Sequence, residues 1–258
     1  ITKEEADAFT GTINVENQSI SNLMGIEYFT ALTGLDASGN AIDSINLAYN
    51  TGLTELDLSS TNLDTVSLTF NDALTVLNLT GTSIAGIDFS NNILLEEVRM
   101  DNTNLTSLDV TGLSALTMLT LSGVAVGNLD LSQNDQLDHL NVQRNGATEL
   151  DLSNNPLLTY LNAGTNSLTS LDLSANTLLR TVYIGENMIS DLDLSMLSDL
   201  QNLSVQDNGM QSLNLQTGNN SNMIIVKLQE NPDLTCVTVD DIDYSAANWT
   251  NVDEAINF

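Results

Sequence analysis

Few residues in this chain could do covalent chemistry, and their spacing argues against it. There is one histidine, His139, and one cysteine, Cys236, far apart in sequence. A nucleophilic dyad needs the two within hydrogen-bond reach. No glycine-rich loop could cradle a phosphate, and no Cys/His spacing fits zinc. Carboxylates are abundant, so counting alone does not exclude a glycosidase-like pair. A regular repeat surface, however, offers no deep cleft to desolvate one. The expectation is a protein without catalytic residues and without a cofactor. Two other groupings point to binding. Aspartates recur every 21 residues at Asp88, Asp109, Asp130, Asp151, Asp172 and Asp193, and a few basic and aromatic residues gather between His139 and Tyr183.

Both groupings follow from one unit, cleanest at Leu158–Leu178, that restarts every 21 residues from Leu32 to Leu200 and once more, irregularly, at Met223. A fixed period of this length is the signature of a solenoid. Within the unit, apolar residues occupy positions 1, 4, 6, 11, 14 and 16, and Asn is favoured at 9 and 19. Each half therefore has strand periodicity with one face buried, followed by a polar turn. A single coil cannot bury its leucines alone, so successive coils must stack. The expected fold is mainly β, with about ten stacked coils and two parallel sheets running the length of the repeat. Buried Asn amides at Asn145, Asn166, Asn187 and Asn208 would satisfy backbone groups at the turns. Thr61, Thr82 and Thr103 would do part of that work in early copies. Leu113 and Leu197 replace the second Asn, predicting less regular turns there.

The half-motif LxxLxLxxNxL resembles the leucine-rich repeat, and the nested LDLSxN half resembles the bacterial 21-residue variety called IRREKO. The similarity runs from about Leu32 to Pro232. It implies a leucine-rich-repeat solenoid with residues 1–31 as an N-terminal cap, nine repeats over 32–222, and an irregular last repeat with a C-terminal cap over 223–258. The caps are similar to those of secreted proteins of the Bacteroidetes. That resemblance implies an extracellular or cell-surface location. It also implies a calcium loop ahead of residue 1 for which Glu5 would supply the last carboxylate, and a partner for Cys236 beyond Phe258. Read from its own residues, Ile1–Phe9 is a short helix in which Thr2 and Glu5 form a capping box, and Cys236 is a buried free thiol. Trp249 and Tyr244 are expected to cover the last coil. Ile1 begins no signal peptide, so a mature or trimmed chain is expected.

Composition limits the partners. With 34 acidic residues, five basic ones and a formal charge of −29, the chain's field repels nucleic acids and anionic membrane surfaces. No apolar run reaches the ~20 residues of a membrane span. The outward rows of the two halves then differ. In the second half the aspartates stand at position 15 beside a Ser/Thr row at position 17. Neighbours ~4.8 Å apart would repel by roughly 1 kcal/mol even in water, so hydroxyl hydrogen bonds or weak calcium sites must offset the charge. In the first half the outward and rim positions vary. There His139, Asn141, Arg144, Tyr160, Asn162, Arg180 and Tyr183 form a candidate ligand-binding patch, because Tyr and Arg combine contact area with hydrogen bonding. The leading expectation is a protein partner bound near repeats six to eight. A glycan stacked on Tyr160 and Tyr183 is the second class, and a structural spacer in a surface assembly the third.

Overall fold

The computed structural model describes residues 2–258, which form two compact units, Ile1–Val126 and Gly127–Phe258. The first begins with helix α1 (Lys3–Asp7). Glu5 N donates to Thr2 Oγ1 at 3.2 Å and Thr2 N donates to Glu5 Oε2 at 2.8 Å, so the capping box expected from sequence is present. The edge-on contact of Phe9 with Phe29, 5.8 Å between ring centroids, packs the residues after α1 against the first coil. Strand β1 (Gly11–Asn14) then opens a parallel sheet with β2 (Leu32–Asp36), β3 (Glu55–Asp57), β4 (Val76–Asn78), β5 (Glu97–Arg99) and β6 (Met118–Thr120).

From β2 onward these strands pair at the repeat period, for example Leu35 opposite Leu56 and Leu56 opposite Leu77. The central residue of each strand points into the core and its neighbours point out, as period-2 geometry requires. Along one coil Leu53, Leu56, Leu58, Leu63 and Leu68 are all buried. At roughly 1.5–3 kcal/mol for each fully buried leucine, stacking the coils supplies the main cohesion.

The second unit contains β7 (His139–Asn141), β8 (Tyr160–Asn162), β9 (Thr181–Tyr183), β10 (Asp191–Asp193), β11 (Asn202–Ser204), β12 (Ser212–Leu215), β13 (Ile225–Lys227), β14 (Val237–Val239) and helix α2 (Ile242–Asn248). First-half strands pair as β7-β8-β9-β11-β13 and second-half strands as β10-β12-β14, all parallel. Asp241 caps α2 by accepting from Tyr244 N, and Trp249 behind it is buried against Phe258. The Tyr244 hydroxyl donates to the Ser221 carbonyl. The final residues then bridge both sheets, Asn251 beside Lys227 and Asn257 beside Cys236. Cys236 itself is exposed rather than buried as a free thiol would suggest.

The asparagines are structural, as their recurrence implied. At position 19 the Asn71 amide donates to the carbonyls of Leu47 and Asn50 at 3.2 and 3.0 Å, and Asn176 repeats this with Leu152 and Asn155. Each such residue ties its coil to the one before. At position 9 Asn166 donates to Val142 O and Ala163 O while its own oxygen accepts from Asn145 N and Ala147 N. Thr61, Thr82 and Thr103 each donate only to a carbonyl three residues back. They replace the local bond and not the links between coils. The turns at Leu113 and Leu197 are regular despite the lost amide. Leu113 N bonds Val110 O and Leu197 N bonds Leu194 O, the pattern of Asn50 N on Leu47 O. Both leucines are buried, so apolar packing holds what the amide holds elsewhere.

The second sheet is shorter than the repeat predicts. It is regular only over β10, β12 and β14, although Asp88, Asp109, Asp130, Asp151 and Asp172 occupy the same repeat position as Asp193. Position 14 shows the physical difference. Ile45, Val66, Ile87 and Leu108 in the first unit, and Leu129 and Leu150 in the second, are only half-buried, whereas Leu192, Leu213 and Val237 are buried. Every paired strand of this sheet has that side chain covered, but cover alone does not suffice, because Leu171 is buried and lies in no strand.

Candidate functional site

The outward face of the first-half sheet in the second unit carries the variable residues. On β7 and β8, His139 lies opposite Tyr160 and Asn141 opposite Asn162. On β9, Thr181 lies opposite Tyr160 and Tyr183 opposite Asn162. The His139 and Tyr160 rings stack with centroids 4.1 Å apart and planes 4° from parallel. Tyr183 meets Tyr160 edge-on at 6.2 Å. Three rings thus form one half-buried platform, in the offset and edge arrangements that ring quadrupoles favour. Burial holds the Tyr160 phenol above the ordinary tyrosine value. A hydrogen bond with the Asn162 side chain opposes that shift, and the nearby Tyr183 phenol adds to it.

The two asparagines have a second task. Asn141 Oδ1 accepts from Gln143 N, and Asn162 Oδ1 accepts from Gly164 N, both at 3.2 Å, which starts the turn that leaves the strand. The arginines of the patch flank the strands rather than lie on them. Arg144 follows β7 in a left-handed turn at φ 57°, while Arg180 precedes β9 and reaches Asp199 at 3.9 Å. The rings thus lie on the strands, with Arg180 one residue before β9 and Arg144 three residues after β7. The Arg180–Asp199 pair is exposed and worth little.

Two features of this face were not foreseen. The residue at position 8 is left-handed in both units, at Ser60, Gly81, Asn102 and Gly123 and again at Arg144, Thr165, Glu186 and Asp207. The Gly and Asn of the early copies signal it, but the later residues hide it. Beside it, Gly164 and Gly185 admit no side chain freely. A Cβ on Gly185 would meet the Gln206 carbonyl oxygen at 3.0 Å.

The second-half face is built differently. Ser90 N donates to Asp88 Oδ1 and Thr111 N to Asp109 Oδ1 in the first unit; Ser132, Ser153, Ser174 and Ser195 do the same for Asp130, Asp151, Asp172 and Asp193 in the second. For Asp88, Asp151, Asp172 and Asp193 the backbone N–H of that residue, then its hydroxyl, holds the carboxyl below the ordinary aspartate value; at Asp130 the hydroxyl leads. Asp130 pushes Asp151 the other way. These local bonds offset the repulsion along the row. Among the described residues no group of three His, Cys, Asp or Glu side chains is placed to hold a metal ion. Shallow clefts do open on this face, one of 440 Å³ between Asp88 and Asp109 and one of 280 Å³ between Asp151 and Asp172.

No family model matches the chain, and no curated protein does. Solved structures do. The functional domain of InlJ from Listeria monocytogenes, described as including a cysteine ladder, is 31% identical with a TM-score of 0.70 over 93% of this chain. The fold is a leucine-rich-repeat solenoid. The chain spans 55% of the length of that InlJ domain and, with one cysteine, has no cysteine ladder of its own. The internalin InlF from the same organism aligns over 98% of this chain and 88% of its own length at 23% identity and a TM-score of 0.59. A leucine-rich-repeat domain of APL1B aligns over 91% of this chain and 73% of its own at 17% identity and a TM-score of 0.67. Among the described residues no helix is long and apolar enough to cross a membrane.

Proposed function

We propose that this chain is a non-enzymatic interaction module that takes a protein partner on the first-half sheet of the unit Gly127–Phe258, around repeats six to eight. The observation that carries this reading is the contiguous platform of His139, Tyr160 and Tyr183 on an outward sheet face. A half-buried ring platform with a polar rim suits partner recognition, because it combines contact area with hydrogen bonding. The similarity to internalins supports the reading and extends it to a secreted or surface-displayed bacterial protein. The platform also suits a sugar ring. Against a glycan, Asn141 and Asn162 each already commit one oxygen lone pair to a backbone amide, which reduces their capacity to read hydroxyls that both donate and accept.

The test is a pull-down from the surface extract of the source organism with wild type and a Tyr160→Ala/Arg180→Ala variant of matched thermal stability. A protein recovered by wild type alone supports the reading. Equal recovery by both sinks it, and saturable binding of a glycan lost in Tyr160→Ala replaces it with the glycan reading.

A further inference from the structure

The first unit carries a second aromatic row on a different edge of the coil, at position 18. The Asn50 amide binds the carbonyls of Ile26 and Phe29, and the Asn71 amide those of Leu47 and Asn50. Residues 26–29 and 47–50 are therefore equivalent in successive coils. Asn92 extends the pattern to Leu68 and Asn71. This register stacks Tyr28, Tyr49 and Phe70 in one row, and they are 45%, 61% and 59% exposed. Later copies place Asn91 and Gly112 at the same position. The row is confined to three coils, and it is not needed to form the turn.

A 500 Å³ cleft lies beside it, lined by Lys3, Asp7, Glu27, Tyr28, Thr30 and Tyr49. The Lys3 ammonium sits 5.4 Å from the centre of the Tyr28 ring. Asp7 takes the Thr30 hydroxyl on Oδ1, and Glu27 takes the Gly25 amide on Oε2. Each keeps a second oxygen for another donor. One face of the cleft is already satisfied by a cation from the chain itself, while two carboxylates and the Tyr49 ring remain for another. The chain around it carries a formal charge of −29. Rings with carboxylates recognise a cation by ring quadrupole and Coulomb attraction together.

We propose that this cleft is a second recognition site, which takes an arginine side chain of a protein partner between Tyr49 and the carboxylates of Asp7 and Glu27, with Phe70 as an apolar shelf for the neighbouring residue. Planar guanidinium is favoured over ammonium because it stacks on a ring while its N–H groups reach carboxylates.

The test is a titration of the whole chain, with 13C-labelled tyrosine rings, by acetyl-arginine methylamide and by its neutral isostere acetyl-citrulline methylamide at equal ionic strength. Tyr→Phe variants assign the five tyrosines. The expected result is a saturable shift of Tyr28 and Tyr49 with arginine and none with citrulline, roughly three- to tenfold weaker in Tyr49→Ala. Lys3→Gln removes the resident cation and is expected to strengthen binding, an effect opposite to that of damaged folding. Equal shifts with arginine and citrulline, or no shift with arginine, overturn the proposal. A shift with chitotetraose and none with arginine overturns it in favour of a glycan site.

Discussion

The two halves of each coil start from nearly the same sequence, LxxLxLxxN and LxxLDLSxN, and end as different surfaces. In the first half, neighbouring coils pair strand to strand, and what faces outward changes from copy to copy. In the second, pairing is confined to β10, β12 and β14, and each aspartate is tied to the amide two residues on in its own coil. A surface whose polar groups satisfy one another locally repeats without needing a partner. A surface whose backbone is satisfied by the ladder leaves its side chains available. The difference is what the proposed reading rests on: recognition by the variable half, with the invariant half keeping the edge soluble.

The sharpest way to break this comparison is to cut the links that stack both halves. Asn71→Ala removes the amide bonds to the Leu47 and Asn50 carbonyls, which keep only Asn50 N and Leu53 N as donors, and is expected to cost about 1–3 kcal/mol, read as a lower urea midpoint. Thr82→Ala loses one local bond and should cost about 1 kcal/mol. Equal losses would mean that the amide does no more than the hydroxyl. Similar in size is Gly185→Ala, whose Cβ meets a carbonyl oxygen. About 1–3 kcal/mol of overpacking is expected, by thermal melting.

Tyr160→Ala tests the ring platform as structure. The stack and edge contact should account for about 0.5–1.5 kcal/mol. A larger loss in a melt would make the platform a packing device rather than an exposed reader. The smallest effect concerns acid. The carboxyls of Asp88, Asp130, Asp151, Asp172 and Asp193 are depressed in the folded chain, so their contribution is present above the unfolded aspartate value of about 3.9 and is lost as pH falls through their lower folded values. Ser153→Ala should raise the Asp151 titration midpoint followed by NMR. An unchanged midpoint would leave the Ser153 hydroxyl with no electrostatic role and the backbone N–H with all of it.

Much of the fold was legible because the period is regular. The leucine positions, both asparagine rows and the Thr2–Glu5 box all rest on local or nearest-coil bonds that a 21-residue register specifies. The limits have equally local causes. Whether position 14 is covered depends on how closely neighbouring coils approach, which Leu129 and Leu192 do not reveal by type. Arg144 and Arg180 lie in the segments flanking β7 and β9, where side-chain direction follows local turn geometry that residue type does not carry. The left-handed turn at position 8 is evident at Gly81 and Gly123 and concealed at Thr165, where a β-branched residue holds an uncommon conformation. The Tyr28 row went unread because it spans the cap and the first two copies, where the period is least familiar.

The last residues give the molecule a property its repeats lack. A parallel ladder ends in unpaired N–H and C=O groups, and an identical ladder is their best match. By lying along Lys227 with Asn251 and along Cys236 with Asn257, the tail occupies one pairing position on each ladder's last edge. Trimming residues 250–258 would expose two adjacent templates at the same end. Self-association into filaments would then be governed by nine residues that contribute little to either face.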